Sequence, residues 1–219
     1  MNRRECLRQY LGMRLDHVSY ACASGEIADV VQRIGSDLGV TFIDGGRHPA
    51  FGTRNFTAAL GGGCYIEVVS ALDHPAALKA FFGRAVHARV DAGGGWLTWV
   101  VAVEDIRPIE ERLGRPSTSG SRIRPDGSQL RWKQIGVMDI IESPGLPFFV
   151  EWESPASEHP SASGARVTVS SLVIAGDPHA MTSLPEPVAN VIPIEWVDDG
   201  SFGVSAVYFN TPHGSVRVD

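Results

Sequence analysis

The sequence predicts an α+β protein built from repeated βαβββ modules that form a curved mixed sheet around a cavity. First, segments with the two-residue period of strands alternate with segments at helical spacing. Second, the order β, α, β, β, β occurs twice, and a partial third copy follows at the C-terminus. Third, both complete copies close on the pattern aromatic, aliphatic, glutamate, apolar, at 65–68 and 149–152. Repetition of one supersecondary unit indicates the architecture.

The first module is predicted to cover residues 15–83, after an N-terminal extension of residues 1–14. Its opening strand, 15–22, alternates so that His17 shares a face with Ser19. A helix capped by Ser24 then runs to about Leu38. The other predicted elements are a short strand at 40–43, a loop at 44–53, strands at 55–60 and 64–70 around a glycine turn, and a linking helix at 74–82.

The second module is predicted to cover residues 84–155, and residues 156–219 form a linker and the partial third module. Alignment of the two modules places Leu97 opposite His17. His17 precedes Glu67 by 50 residues and Leu97 precedes Glu151 by 54, which supports duplication. The predicted elements are strands at 96–103, 122–125, 130–135 and 148–152, a helix near 106–113, then strands at 166–175, 192–196, 204–210 and 215–218 with a possible helix at 177–184.

Composition and charge limit the classes of partner. Apolar residues make up 43% of the chain and the net charge is −6, so we expect a globular protein rather than a nucleic-acid binder. We expect it in the cytoplasm, with the cysteines as reduced thiols. No apolar run is long enough for a membrane span, and the three cysteines are too widely spaced for a disulfide framework. The sparse basic cluster Arg122, Arg124 and Arg131 is typical of a solvated face, although it could meet an anionic ligand. The expected partner is a small-molecule substrate.

Three residues are the candidate metal ligands: His17, Glu67 and Glu151. Their strand parity directs all three side chains into the concavity of the sheet if the opposite faces pack on the module helices. Imidazole with carboxylates suits a divalent ion such as Zn²⁺, Mn²⁺, Fe²⁺, Ni²⁺ or Mg²⁺. Such an ion polarises a bound oxygen or lowers the pKa of a bound water. Glu67 and Glu151 are also the predicted catalytic groups.

Several phrases resemble the vicinal-oxygen-chelate superfamily, and most closely its glyoxalase-like domain family. They are Leu15-Asp-His17-Val, Tyr65-Ile-Glu67, Phe149-Val-Glu151-Trp, Gly45-Gly-Arg-His48-Pro, Gly52-Thr-Arg-Asn55 and Arg124-Pro-Asp-Gly127. The resemblance covers residues 15–155 well and the tail more loosely. It implies metal ligands from the first and last strand of each module, which here are His17, Glu67, position 97 and Glu151. Position 97 is leucine, so this chain departs from the pattern and keeps at most three protein ligands.

The candidate substrate-binding residues lie in a polar loop and among aromatic side chains. His48, Arg54 and Asn55 belong to a loop that either surrounds a polar ligand or forms an ordered connection. Trp99 and Trp132 either fill the core or line a cavity for a largely apolar substrate.

Two functional hypotheses follow. The leading one is a metal-dependent lyase, isomerase or dioxygenase that acts on a small oxygenated molecule. The alternative is a metal-free binding or sequestration protein that uses the same cavity, which Leu97 favours. A dioxygenase site usually has two histidines and one carboxylate, whereas only one candidate ligand here is histidine. The resemblance implies a monomer or a homodimer.

Overall fold

The computed structural model describes residues 12–198 and 200–219, with Ala76 described by its backbone alone. Most of the predicted N-terminal extension, including Cys6, therefore lies outside the described residues. The first module contains β1 (Arg14–Ala21), α1 (Ile27–Leu38), β2 (Ile43–His48), β3 (Thr53–Ala59), β4 (Tyr65–Ala71), α2 (Pro75–Lys79) and α3 (Phe81–Asp91). The second contains β5 (Gly95–Ala102), α4 (Arg107–Leu113), β6 (Thr118–Ile123), β7 (Gln129–Ile135) and β8 (Phe148–Trp152).

These eight strands form a closed barrel in the order β1-β4-β3-β2-β6-β7-β8-β5. Each module contributes four neighbouring strands, and in each the first strand pairs in parallel with the last. The two first strands, β1 and β5, run antiparallel and join the modules. The predicted α+β fold of repeated βαβββ modules around a cavity is therefore confirmed.

The strand register relates the two modules differently from the sequence alignment. His17 pairs with Tyr65 in the first module, and Val100 pairs with Phe148 in the second. His17 and Val100 also pair directly with each other across the junction of β1 and β5. The position that corresponds to His17 is therefore Val100 rather than Leu97. A shift of this kind matters because one residue of register moves a side chain to the other face of a sheet.

The segment predicted as a loop at 44–53 is instead partly strand, because β2 continues to His48. The last three residues of β2 lie where the two modules meet. Arg47 there pairs with Ile123 of β6. Gly46 has φ +100°, and a Cβ there would lie 1.9 Å from the carbonyl oxygen of Ile123. Glycine therefore permits this close approach of two backbones, and the glycines that suggested a loop serve strand pairing.

The linking helix also differs from the prediction. It is two helices, α2 and α3, separated at Ala80, whose ψ of 140° is extended. The second of them runs to Asp91, well beyond the predicted end at 82. Gly83 lies in its first turn, where a Cβ would come within 2.5 Å of the carbonyl oxygens of Ala77 and Phe51. The helix is thus packed tightly against the connection after β2.

The C-terminal residues form a second sheet of β9 (Thr168–Ala175), β10 (Ile194–Val197), β11 (Gly203–Thr211) and β12 (Gly214–Val218). The strand order is β10-β9-β11-β12, and two short 3-10 helices take the place of the module helix. This sheet packs on the outside of the barrel, where Trp96 lies 6.2 Å from Phe209 between ring centroids. Trp96 Nε1 also donates to the carbonyl of Val218 at 2.9 Å. In the described part of the chain, no helix is long and apolar enough to cross a membrane.

Candidate functional site

The barrel contains a cavity with about 440 Å³ of unfilled space, counting its open mouth. Its polar lining consists of His17, His48, Glu67, Arg122 and Gln134. The remaining wall is mostly aromatic and consists of Phe51, Tyr65, Phe82, Trp132, Phe148 and Trp152, with Val150. A mostly apolar pocket with a few convergent polar groups is the usual form of a small-molecule site.

A β-bulge in β1 places Asp16 beside His17. The pairing with β5 passes from Leu15 to His17 with a register shift, so that Asp16 is an extra residue in the strand. His17 Nδ1 lies 2.9 Å from Asp16 Oδ2. Because an ionised carboxylate only accepts hydrogen bonds, this contact places the ring proton on Nδ1 and leaves Nε2 as the basic nitrogen. Nε2 lies 3.9 Å from Glu67 Oε2.

Asp16 is the centre of a buried polar network that connects the barrel to the linker after β8. Its carboxylate accepts from His159 Nε2 at 3.1 Å and from Trp152 Nε1 at 3.2 Å, and it forms an ion pair with Arg14 Nη1 at 3.0 Å. Burial raises the pKa of Asp16, but the hydrogen bonds from His159 and His17 outweigh burial and hold the pKa well below its usual range. Asp16 is therefore ionised at neutral pH and fixes the orientation of His17.

Glu67, on β4, is held by two short hydrogen bonds. Ser19 Oγ donates to its Oε2 at 2.5 Å, and Asn55 Nδ2 donates to its Oε1 at 2.6 Å. Burial raises its pKa, whereas the nearby His17 and His48 and the two donors lower it, and the net direction is downward. Glu67 is thus a fixed anion in the cavity wall.

His48 ends β2 and is neutral in the folded protein. Its Nδ1 lies 2.8 Å from Thr53 Oγ1. Burial lowers the pKa of His48 to about 4, and the nearby charge of Arg122 acts in the same direction while Glu67 opposes it.

The ring of Tyr65 stacks on His17 with 4.4 Å between centroids and therefore covers one face of the imidazole. Burial also raises the pKa of Tyr65 well above its usual value, so the phenol stays protonated.

Five of the residues predicted for the site come together. His17, Glu67, His48 and Trp132 line the cavity, and Asn55 binds Glu67 from behind. Arg54 does not join them, because it pairs with Asp44 at 3.1 Å and its guanidinium lies over the ring of Phe56.

Strand parity predicts that Glu151 converges with His17 and Glu67, and in the structure it does not. Its carboxylate accepts from Lys133 Nζ at 3.0 Å and from the backbone N–H of Ile106 at 2.8 Å. The neighbours of Glu151 on β8, Val150 and Trp152, line the cavity instead. Alternation along a strand therefore directs Glu151 to the outer face of the barrel, and Val150 occupies the place that corresponds to Glu67.

Trp99 and Leu97 also lie away from the cavity lining. Trp99 is fully buried in the apolar cluster between the barrel and the C-terminal sheet, and its Nε1 donates to the carbonyl of Gly145 at 3.0 Å. Leu97 lies beside Ala85, Ala88 and Arg89 of α3. Position 97 is therefore not part of the cavity lining.

The side chains fit a divalent metal only in part. Within the described ranges, no three His, Cys, Asp or Glu side chains lie close enough together to hold an ion. His17 and Glu67 supply two donors, and both oxygens of Glu67 already accept hydrogen bonds. A structural or catalytic zinc site takes at least three protein ligands, so the set does not complete the predicted centre.

Sequence reasoning missed Asp16 and His159, and it did not assign Arg122 to the cavity. The Asp16–His17 contact depends on a bulge, which has no signal in a strand pattern. His159 reaches Asp16 across 143 residues of sequence. Arg122 carried a signal, because it stood out as part of a basic cluster on a predicted strand.

Comparison with known proteins identifies the family. The family model for the glyoxalase-like domain matches residues 15–186. A hypothetical protein from Staphylococcus aureus has 14% identity and a TM-score of 0.60, and the match covers 94% of this chain and 86% of that one. That likeness shows a shared fold.

Another similar structure is methylmalonyl-CoA epimerase from Mycobacterium tuberculosis, with 20% identity and a TM-score of 0.44 over 65% of this chain and 89% of that one. A search of the curated proteins finds no match.

Proposed function

The chain belongs to the glyoxalase-like domain family of the vicinal-oxygen-chelate superfamily, and from that premise we propose an enzyme that transfers a proton at a carbon atom of a small molecule, with His17 as the base. The contact that carries the proposal is the 2.9 Å hydrogen bond between His17 Nδ1 and the buried carboxylate of Asp16. It commits Nδ1 to Asp16 and leaves Nε2 as the ring nitrogen that faces Glu67 in a cavity with aromatic walls. A positioned imidazole of this kind is the commonest general base in enzymes.

The proposed step starts from a carbon next to a carbonyl group. His17 Nε2 takes the proton, the C–H bond breaks, and the electron pair moves into the carbonyl to form an enolate. Return of the proton from Nε2 to the same carbon or to a neighbouring one gives an epimer or an isomer. If the enolate instead expels a leaving group from the next carbon, with its bonding electron pair, the reaction is that of a lyase. Asp16 stabilises the imidazolium that exists between the two proton transfers.

A metal-dependent enzyme is the second candidate, and the Asp16–His17 pair favours it. Histidines that bind metals usually donate the other ring nitrogen to a carboxylate. Against it stand the outward direction of Glu151 and the two donors that already occupy Glu67. A third possibility is a metal-free binding protein that uses the same cavity.

One exchange experiment tests the proposal. Protein treated with a chelator is incubated in D₂O with a panel of small carbonyl compounds, acids and amides, and loss of the C–H signal is followed by NMR. We expect exchange by the wild type and a loss of about 100-fold or more in His17→Asn, the usual range for a general base. The matched control His179→Asn changes an exposed histidine and should exchange normally.

The other outcomes separate the candidates. Undiminished exchange in His17→Asn overturns the role of His17. Exchange that disappears with the chelator and returns with a divalent ion supports the metal-dependent enzyme. Compounds that bind without exchanging in any variant support the binding protein.

A further inference from the structure

The guanidinium of Arg122 is a buried cation for which the described part of the chain provides no side-chain hydrogen bond. It lies near the end of β6, is 4% exposed and lines the cavity. Its Nε is buried without a partner. Charged side chains are almost never buried unless they are paired, because removal from water without compensation is unfavourable. The unused donors of Arg122 therefore indicate a partner group that the described residues do not supply.

The position of Arg122 depends on space that a glycine leaves open. A Cβ at Gly45 would lie 2.9 Å from Arg122 Nη1 and 2.2 Å from Asn55 Oδ1. Glu67 is the nearby carboxylate of the cavity, but its oxygens accept from Ser19 and Asn55 rather than from Arg122. The guanidinium of Arg122 thus occupies space in the cavity wall that the missing side chain of Gly45 leaves open. The carboxylate of Glu67 is bound by other donors.

We propose that Arg122 binds a carboxylate group of the substrate, so that the ligand is a small organic acid with an apolar skeleton. The proposal rests on the proposed function and names its class of substrate. A guanidinium presents two parallel N–H groups that match a carboxylate. Phe51, Phe82 and Trp132 offer apolar surface for the skeleton in the same cavity. The charge of Glu67 disfavours a second negative charge, which selects a carboxylate over a phosphate.

The same contact assists the proton transfer at His17. A free carboxylate makes a neighbouring C–H less acidic, because the enolate would carry a second negative charge. Pairing with Arg122 neutralises the first charge. When His17 removes the proton, the cavity then holds one uncompensated negative charge instead of two.

A pair of isosteric probes tests the proposal. Benzoate and benzamide differ in charge and hardly in shape, and acetate with acetamide provides a smaller pair. Binding is followed by fluorescence, since Trp132 and Trp152 line the cavity. We expect the wild type to bind each acid at least about 10-fold more tightly than its amide, the range for hydrogen bonds to a charged group.

Three variants locate this preference. Arg122→Met should lose the preference for the acid because acid binding weakens, while amide binding changes less than about 2-fold. Arg122→Lys should keep part of the preference, because the positive charge remains without the planar guanidinium. Arg131→Met changes an exposed arginine on β7 and should behave as wild type. Melting temperatures show whether each variant is folded. Removal of a buried, unpaired charge should not destabilise the protein.

The outcomes are independent of the exchange experiment. Acid binding, amide binding and their dependence on Arg122 are measured without turnover, so this proposal can hold or fail whichever way the exchange experiment ends. An equal affinity of the wild type for acid and amide, no binding of either pair, or a preference that survives in Arg122→Met overturns the proposal. Tighter Arg122-dependent binding of phenyl phosphate than of benzoate overturns the choice of a carboxylate.

Discussion

Individual side chains in this cavity differ in charge state because their surroundings differ. Asp16 and Glu67 are buried carboxylates with lowered pKa values, Asp16 chiefly through hydrogen bonds from His159 and His17, and Glu67 chiefly through the nearby histidines with its donors Ser19 and Asn55. His48 is a buried imidazole whose pKa falls to about 4, so it stays neutral. Burial disfavours every one of these charges, and for the two carboxylates nearby histidines and hydrogen-bond donors together outweigh it. The cavity wall therefore combines the anion Glu67, the neutral His48 and the cation Arg122, and the ionised Asp16 lies beside His17 outside the lining.

The low pKa of His48 predicts a loss of stability in mild acid. An unfolded histidine titrates near 6.5 and the folded one near 4. Between these values the unfolded state binds more protons, so the stabilisation is complete above pH 6.5 and is lost as the pH falls toward 4. Between pH 7 and pH 5 the wild type should lose about 2 kcal/mol more of its free energy of unfolding than His48→Gln.

Chemical denaturation at the two pH values measures this difference. The control His179→Gln alters an exposed histidine and should follow the wild type at both. An equal loss of unfolding free energy between pH 7 and pH 5 in wild type and His48→Gln would mean that His48 is protonated in the folded protein at pH 5.

Among the strands, two departures from regular pairing create the site. The bulge in β1 adds Asp16 to the strand and brings it beside His17. The register shift in β2 lies between Asp44 and Gly46, next to the pair of Arg47 with Ile123 that closes the barrel, and the guanidinium of Arg122 lies beside Gly45 there. Bulges are common at barrel rims and next to active sites, where they redirect side chains.

Gly46→Ala should destabilise the protein by more than its backbone angle explains. A positive φ alone makes alanine unfavourable by about 1–3 kcal/mol. Gly93 has nearly the same angle, φ +103° against +100°, but a Cβ there meets nothing within 4 Å. The contact with Ile123 should add a further 2 kcal/mol or more, roughly the effect of an overpacked core. Denaturation of Gly46→Ala beside Gly93→Ala measures the excess, and equal destabilisation would refute the close approach.

Across the whole molecule, the barrel and the C-terminal sheet share one core. The largest buried cluster contains residues of both, among them Trp96 and Trp99 from β5 with Phe209 from β11. Shared apolar burial couples the two parts, because neither can leave the other without exposing that surface to water. The aromatic cavity lies on the other side of β5, in a second cluster that includes Trp132 and Phe148.

Phe209→Ala should therefore loosen the barrel as well as the C-terminal sheet. Phe209 is fully buried, and a change of this kind destabilises by about 3–5 kcal/mol. Amide hydrogen exchange should become faster by a similar factor in β4 and in β11, since both open with the same global unfolding. The control Phe202→Ala changes a side chain that is 79% exposed and should have little effect. Faster exchange confined to β9–β12 would show that the sheet unfolds by itself.

The sequence by itself determined the module order, the α+β class and most strand positions, because these depend on local periodicity and turn residues. It also indicated His17, Glu67, His48, Asn55 and Trp132, all of which lie in or against the cavity. Local patterns succeeded wherever one face of a regular strand decides the direction of a side chain.

Only the tertiary structure decided which carboxylate belongs to the site. The repeated glutamate pattern makes Glu151 the counterpart of Glu67, yet by strand register the counterpart in the second module is Val150, and Glu151 faces outward. A single residue of register reverses the face of a strand, and register depends on hydrogen bonds between strands that are distant in sequence. The bulge that brings Asp16 to His17 and the contact from His159 have the same origin, since long-range packing places them and no local pattern encodes it.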